Sequence, residues 1–487
     1  MPAPARIQAR QWPCFVASRA WTGSTHEAVT HPGDGSVVGQ VSVPDEAAIE
    51  EALSAAWEVR GRARATSAAT RAEALTHVSR RLEERREEVA EIITSENGKP
   101  ITWALAEATR AASTFRWAAE EARRFNGEFQ RLDTEKATER RAAIIRRFPF
   151  GPVLGISPFN FPINLVAHKV APAIAVGAPI VVKPAPATPL GALVLGELLA
   201  ETDLPEGMFS VLPVGNDVAP RLVSDPRLPV ISFTGSEPVG FAIKRNAAEK
   251  HVILELGGNA AAIVLDDYSS DDDLAWAAQR IAMYGNSQAG QTCVSVQRVF
   301  VEQGVADRFI PILTQAVRDV PSGDVWDPAT VVGPVINEGA AARVMEWIDE
   351  ATEAGATILT GGGRTGTFIE PTLLMNVSPH VRLACEEVFG PVMSIQVIKD
   401  FDEGIAVVND SRFGLQTGVF THDVQKIFRA HRELDVGGVI IGDAPTFRAD
   451  QMPYGGIKAS GVGREGLRFA MQDLTYDKVL VLTDLDL

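Results

Sequence analysis

The segment 285–301, GNSQAGQTCVSVQRVFV, sets one thiol, Cys293, where a small and polar stretch meets a valine-rich alternating run. A thiol packs as a small apolar group, binds a metal, or attacks an electrophile. The preceding NSQAGQT is poor core sequence, and Ser295, Gln297 and Arg298 continue the polar content. Attack therefore stands beside packing as a reading of Cys293. Glu255, in ILELGGNA, ends an apolar run and precedes two glycines. Apolar surroundings raise a carboxyl pKa, which suits a general base near neutral pH, although a strand-end carboxylate also serves simply to bond backbone amides. Asn160 lies between the two Phe-Pro boundaries of SPFNFPIN. An amide held in such a rigid turn either closes the turn or donates to a developing oxyanion.

Two further segments suit an anion. Lys183 ends the apolar run of VVKPA, and FTGSEPVG passes through Thr234, Gly235 and Ser236 into a helix-forming stretch. A helix N-terminus built from small residues offers free amides to phosphate. The match to known nucleotide motifs is weak, because neither of these segments holds GxGxxG and 235–240 lacks the Lys and Ser/Thr of a P-loop.

Bulk composition narrows the chemistry. Cys14, Cys293 and Cys385 form no CxxC or Cys/His cluster, so neither a disulfide framework nor a metal site is expected. A reducing, cytoplasmic setting follows from that cysteine usage. The 62 acidic against 46 basic residues give a formal charge of −16, which argues against nucleic acid or an anionic membrane as partner. The N-terminal MPAPARIQARQWPCF holds no apolar run of signal-peptide length, and no stretch is apolar enough to span a bilayer.

The elements that must position these residues are legible in outline. Between residues 44 and 98, Leu75, Val78, Leu82, Val89, Ile92 and Ile93 recur at helical spacing, and ENGKP stops the helix with Gly98 as a left-handed cap. The charge run RRLEERREEVAE reads as a solvated face. From 153 to 267 the runs VLGIS, PIVVKP, FSVLPVG, VISFTG, HVILELGG and AAIVLDD alternate with helix-length segments, which indicates βαβ units on a parallel sheet. Asn160, Lys183, Thr234 and Glu255 then fall at the carboxyl ends of strands, where ligands collect. The later runs ATILTGG and SIQVIK suggest a second α/β unit. GEFQRLDTEKATERRAAIIRRFPFG and LTYDKVLVLTDL read as an extended connection and a closing strand, either of which could be an edge that pairs with another chain.

Taken in order, PFNFP, KPA, FTGS, LELGGN, GQTC, EEVFGPV and PYGGIKASGVGREG resemble the motifs of the NAD(P)-dependent aldehyde dehydrogenase superfamily, of the non-acylating, hydrolytic type, over nearly the whole chain. The resemblance implies an α/β fold. A Rossmann-type cofactor domain would span 1–126 and 149–256, an α/β catalytic domain 257–465, and a small strand-built oligomerisation arm 127–148 with 466–487. It implies Cys293 as nucleophile, Glu255 as base, Asn160 with the Cys293 amide as oxyanion hole, and Lys169 with Glu465 as a proton-relaying pair. NAD or NADP would meet Ser157, Pro158, Lys183, Thr234, Gly235, Ser236, Gly257, Glu387 and Phe389. Phe161, His168, Ser287, Thr292 and Arg448 would border a small-molecule aldehyde, and the chain would form a homodimer or homotetramer.

Departures from the family pattern carry information. Many NAD-preferring relatives place a glutamate three residues after the lysine, where this chain has Pro186. A 2'-phosphate would not be repelled there. Arg448, His168 and Ser287 replace the aromatic tunnel of relatives acting on apolar aldehydes, which points to a small polar or anionic substrate. Otherwise Arg448 pairs with Asp450. A CoA-acylating enzyme or an idle structural or binding protein on the same fold is the competing reading. Enzymes of the acylating type tend to lack the base at the Glu255 position, and Cys293, Glu255 and Asn160 together argue against an idle fold. A cysteine hydrolase would want a histidine base that no motif supplies.

Overall fold

The computed structural model describes residues 10–484, so the outermost ends of the expected cofactor domain and arm lie outside the described residues. Asp45 accepts the Ala48 N–H at 2.8 Å and opens the helix Glu46–Ala65, and Ser67 does the same work for Ala68–Glu84. Each oxygen satisfies an amide that the first helical turn leaves free. Leu75, Val78, Leu82, Val89, Ile92 and Ile93 are all buried. The helix Arg86–Asn97 ends on Gly98 at φ 72°, whose N–H donates to the Thr94 carbonyl at 2.9 Å. The charge run between these helices is more than a solvated face. Arg81 and Arg85 reach Glu201 at 2.9 Å and Glu197 at 3.2 Å, tying it to the helix Leu190–Ala200.

Val153–Ile156, Ile180–Lys183, Phe209–Val211, Val230–Thr234 and His251–Glu255 form the parallel core of an eight-stranded sheet. Register sets Thr234 opposite Glu255 and Ile156 opposite Lys183, so the functional positions share one edge. Ala261–Val264, grouped with these strands by its apolar run but with 257–465 by the resemblance, pairs in parallel with Arg298–Glu302 and Gln416–Phe420 in a seven-stranded sheet. A fully buried parallel strand reads the same in either sheet, so its run of apolar residues could not say which one it joins. The short strand Gly461–Val462 returns to the first sheet and pairs antiparallel with His251–Glu255, setting Gly461 opposite Glu255.

The extended connection and the closing strand find each other. Arg141–Pro149 pairs antiparallel with Thr475–Thr483 on one side and Glu128–Arg131 on the other. Phe129, Val479, Leu480 and Val481 lie exposed on this ribbon. Among the described residues no helix is long and apolar enough to cross a membrane, and no group of three His, Cys, Asp or Glu is placed to hold a metal.

Candidate active site

The carboxyl ends of four strands of the first sheet open on a cavity of about 970 Å³. Cys293, Glu255, Asn160 and Glu465 line it, and so do Ser157, Pro158, Lys183, Thr234, Gly235, Ser236, Gly257, Glu387 and Phe389. One continuous space thus joins the strand ends of the first sheet to the segments that carry Cys293, Glu387 and Arg448. At one end Ser236 starts the helix Glu237–Asn246 without using its own side chain as a cap, which leaves the first amides of that helix free for an anion. Lys183 stands beside it and donates to Asn216 Oδ1 at 3.0 Å. Burial pulls its ammonium down to about 8, opposed by Asp217. Pro186, Val239 and Ile243 supply apolar wall.

Nearer the thiol, Glu387 accepts the Gly258 N–H at 3.1 Å, and a Cβ on Gly257 would collide with its carboxylate. Burial pushes the Glu387 carboxyl up to about 7, against the Gly258 amide and Arg343. Free helix amides, a lysine, an apolar slot and a carboxylate along one groove are the donor set a dinucleotide requires, and the residues present fit one.

The thiol loop is held in an unusual conformation. Gln288 and Ala289 have φ of 53° and 55°, and Gly290 follows at 68°. Non-glycine residues are held in that left-handed region only when the surroundings over-determine them, and here they do. Gln288 Nε2 donates to the Asn160 carbonyl and to Asn97 Oδ1, while Asn97 Nδ2 donates to the Phe159 carbonyl at 2.8 Å. Asn160 Nδ2 in turn donates to the Gln291 carbonyl at 3.0 Å. The thiol loop and the Asn160 turn are therefore one hydrogen-bonded body, in which Asn97, Gln288 and Gln291 went unnoticed as sequence. Asn97 sits in the ENGKP stop, where the glycine and proline drew the attention.

Cys293 Sγ lies 3.0 Å from the Tyr454 hydroxyl. Burial pushes the thiol up to about 12, opposed by that hydroxyl. Glu255 is 4% exposed, and its Oε1 has no hydrogen-bond partner among the described residues. Burial, reinforced by Glu465, raises its carboxyl well above the usual range.

Behind Glu255 runs a chain of buried charges. Lys169 Nζ donates to Thr234 Oγ1 at 2.7 Å and Ser232 Oγ at 3.2 Å, and lies 3.7 Å from Glu465 Oε1. Arg448 does not pair with Asp450. Its Nη2 donates to Glu465 Oε2 at 2.8 Å, and its guanidinium lies 3.9 Å from the centre of the Tyr454 ring. Asp450 is instead 3.3 Å from His168 Nε2 and 3.3 Å from Arg110. Burial works to raise the Glu465 carboxyl, but Arg448 and then Lys169 outweigh it and hold it at about 2. Burial, then Arg448, lower the His168 pKa, opposed by Asp450 and Glu465.

Of the residues expected around the aldehyde, Arg448 lines the cavity. Phe161, His168, Ser287 and Thr292 are not part of its wall. His168, Ser287 and Thr292 are buried, and the Phe161 ring lies 3.9 Å from Lys99 Nζ. A nucleophile, an uncommitted carboxylate and an amide at one end of a dinucleotide-shaped groove can together attack, oxidise and hydrolyse a carbonyl compound.

Comparison with known proteins decides the family. Residues 21–480 match the profile of the Aldehyde dehydrogenase family. The chain belongs to the aldehyde dehydrogenase family. It is thus an NAD(P)-dependent oxidoreductase with the α/β fold of that family. The 3-sulfolactaldehyde dehydrogenase of Priestia aryabhattai is 43% identical over 399 residues, which cover 82% of this aldehyde dehydrogenase and 83% of that protein. Among solved structures, aldehyde dehydrogenase 21 from Physcomitrella patens, in complex with the reaction product succinate, is 41% identical with a TM-score of 0.96, covering 99% of this chain and 100% of that one. The NADP-dependent glyceraldehyde-3-phosphate dehydrogenase from Bacillus halodurans C-125, complexed with NADP, is 34% identical with a TM-score of 0.93, over 97% and 99% of the two chains.

Proposed function

We propose that this aldehyde dehydrogenase oxidises a small aldehyde bearing a polar or anionic group to its carboxylic acid, with Cys293 as nucleophile and Glu255 as general base. The observation that carries this reading is the convergence of Cys293, Glu255 and Asn160 on one cavity whose other end holds Lys183 and Ser236. The Cys293 sulfur attacks the carbonyl carbon, and the oxygen that becomes negative meets the second N–H of the Asn160 amide and the Cys293 backbone N–H. Bound in that groove, NAD or NADP would supply the two-electron acceptor needed to take the Cys293 adduct to a thioester. Glu255 then takes a proton from the water that attacks the thioester, releasing acid and thiol. Lys169 and Glu465, next in the chain of charges, pass that proton outward. Ser157, Pro158, Lys183, Thr234, Gly235, Ser236, Gly257, Glu387 and Phe389 hold the dinucleotide.

The substrate class rests on Arg448, a buried cation on the cavity wall whose Nε has no hydrogen-bond partner among the described residues. The three similar proteins above carry sulfolactaldehyde, succinate and glyceraldehyde 3-phosphate in their names, and these bear a sulfonate, carboxylates and a phosphate. A charge-assisted hydrogen bond from Arg448 suits each. Phe161, His168, Ser287 and Thr292 would support that end from behind the wall. The exposed apolar ribbon built on residues 127–148 and 466–484 fits a homodimer or homotetramer contact, and three free thiols fit the cytoplasm. The cofactor unit of 1–126 with 149–256 and the catalytic unit of 257–465 then meet at the cavity.

Cys293→Ala tests the reading. Reduced-cofactor formation across a panel of polar aldehydes falls to nothing measurable while cofactor binding persists, and turnover above about a hundredth of wild type would overturn it.

A further inference from the structure

We propose that Tyr454 is a catalytic residue whose hydroxyl donates a hydrogen bond to the Cys293 sulfur and stabilises its thiolate, with Arg448 as the positioning residue that polarises the phenol. Attack requires the thiolate, and a buried thiol in neutral surroundings forms it reluctantly. Something beside the sulfur must therefore favour the charged form. The histidine that serves elsewhere is not at hand, because His168 faces Asp450 and Arg448. Among the described residues the Cys293 sulfur shares a hydrogen bond with the Tyr454 hydroxyl, at 3.0 Å, and Tyr454 is only 4% exposed.

The surroundings of the phenol are built for that role. Arg448 lies over the ring at 3.9 Å, its charge drawing electron density from the face and making the hydroxyl a stronger donor. Glu465 fixes the guanidinium from the other side at 2.8 Å. Ring and carboxylate share one backbone bridge, since the Tyr454 N–H donates to the Glu465 carbonyl at 3.0 Å and the Glu465 N–H to the Tyr454 carbonyl at 2.7 Å. The next residue, Gly455, packs against the base: at φ 151° a Cβ there would stand 2.8 Å from Glu255 Oε1. One short turn thus sets a donor on the nucleophile and leaves room for the base.

The proton accounting is simple. The S–H bond breaks, the proton leaves through the open cavity to solvent, and the sulfur lone pair becomes free to form the S–C bond with the aldehyde carbon. Tyr454 keeps its own proton throughout, because burial, and then the neighbouring Cys293, push its hydroxyl well above the usual phenol range. While the sulfur is a thiol either group can donate; once it is a thiolate only the phenol can.

The inference rests on Cys293 being the nucleophile, and the experiment separates the two. The rate of Cys293 alkylation by iodoacetamide is followed against pH in the cofactor-free enzyme, with the modified peptide identified by mass. Tyr454→Phe removes one oxygen and keeps the ring. The expected result is an alkylation midpoint moved to higher pH and a rate at neutral pH lowered by about tenfold or more, because hydrogen bonds to charged groups are among the stronger ones. Arg448→Met moves the midpoint the same way by less, and the cofactor KM of Tyr454→Phe, unchanged, reports an intact fold. An alkylation profile of Tyr454→Phe that superimposes on wild type overturns the role of Tyr454 while leaving an inactive Cys293→Ala, and so the function, in place. An active Cys293→Ala overturns both.

Discussion

The two ends of the cavity are built differently. The end proposed for the cofactor is built from chain geometry: the start of the helix Glu237–Asn246, the end of the strand Ile180–Lys183, the apolar wall of Pro186 and Val239, and one lysine. At the chemical end Glu255, Glu465, Lys169, His168 and Asp450 are buried, the Arg448 side chain is only 8% exposed, and these groups depend on one another for their charge states. Backbone amides and apolar walls tolerate a change with modest effect, because nothing costly is left behind. A buried ion that loses its partner has no such freedom. Substitutions at the chemical end therefore act on rate and stability together, whereas those at the cofactor end act on selectivity.

The largest effect that sharpens this contrast is expected at Glu255. In Glu255→Gln the steady rate falls by about two to four powers of ten, the usual contribution of a general base, while a first burst of reduced cofactor survives. The sign of the pH dependence follows from burial. Because the Glu255 carboxyl is raised, its basic form grows as pH climbs through that raised value, so the wild-type steady rate rises over the same range and the Gln variant loses this limb. Rapid-mixing fluorescence of the reduced cofactor reads both. An unchanged steady rate removes Glu255 from the mechanism, and a lost burst reassigns it to activation of the thiol alone.

Next in size stands Arg448→Leu. Glu465 would keep only Lys169, at 3.7 Å, as a cation, and breaking a buried pair costs about 3–5 kcal/mol. The thermal midpoint falls accordingly. Turnover of hexanal drops through the weakened thiol, but kcat/KM for a sulfonated or carboxylated aldehyde drops by a further one to two powers of ten or so. Equal losses on the two substrates would leave Arg448 as a partner of Glu465 and Tyr454 with no part in substrate choice.

Much of the cofactor end was legible because local rules decide it. Apolar runs closed by proline or glycine put Lys183 and Thr234 at strand ends, and small residues before an amphipathic stretch put Ser236 at a helix start. The chemical end resisted for the opposite reason. Asp450, two residues away, was the alternative partner for Arg448, yet the turn directs it to His168 and Arg110, while the Tyr454–Glu465 bridge brings Arg448 its partner from 17 residues further on. No periodicity announces such a bridge. Tyr454 itself stood in a quoted motif, but an aromatic before two glycines reads as packing until the direction of its hydroxyl is known. The sheet taken by Ala261–Val264 was equally silent, since every buried parallel strand is apolar on both faces.

The smallest effect belongs to the cofactor end. Pro186 lies on the cavity wall three residues after Lys183 and brings no carboxylate to it. A carboxylate there would accept hydrogen bonds from the ribose hydroxyls of NAD and repel the 2'-phosphate of NADP, so its absence leaves the two cofactors close in value. NADP is expected within about tenfold of NAD in kcat/KM, a difference of about 1.4 kcal/mol. Lys183 reinforces this, since an ammonium at the strand end attracts the added phosphate, and its pKa of about 8 under burial leaves it mostly charged at neutral pH. Pro186→Glu should turn the ratio toward NAD by roughly tenfold, through one attraction gained and one repulsion introduced. Because no buried charge loses a partner, the thermal midpoint should hold, in contrast to Arg448→Leu. Initial rates with both cofactors, before and after the substitution, read the change directly. A wild-type enzyme that prefers NAD beyond about a thousandfold, some 4 kcal/mol, would transfer the discrimination to another group. Asp217, whose charge acts on Lys183, is where it would then be sought.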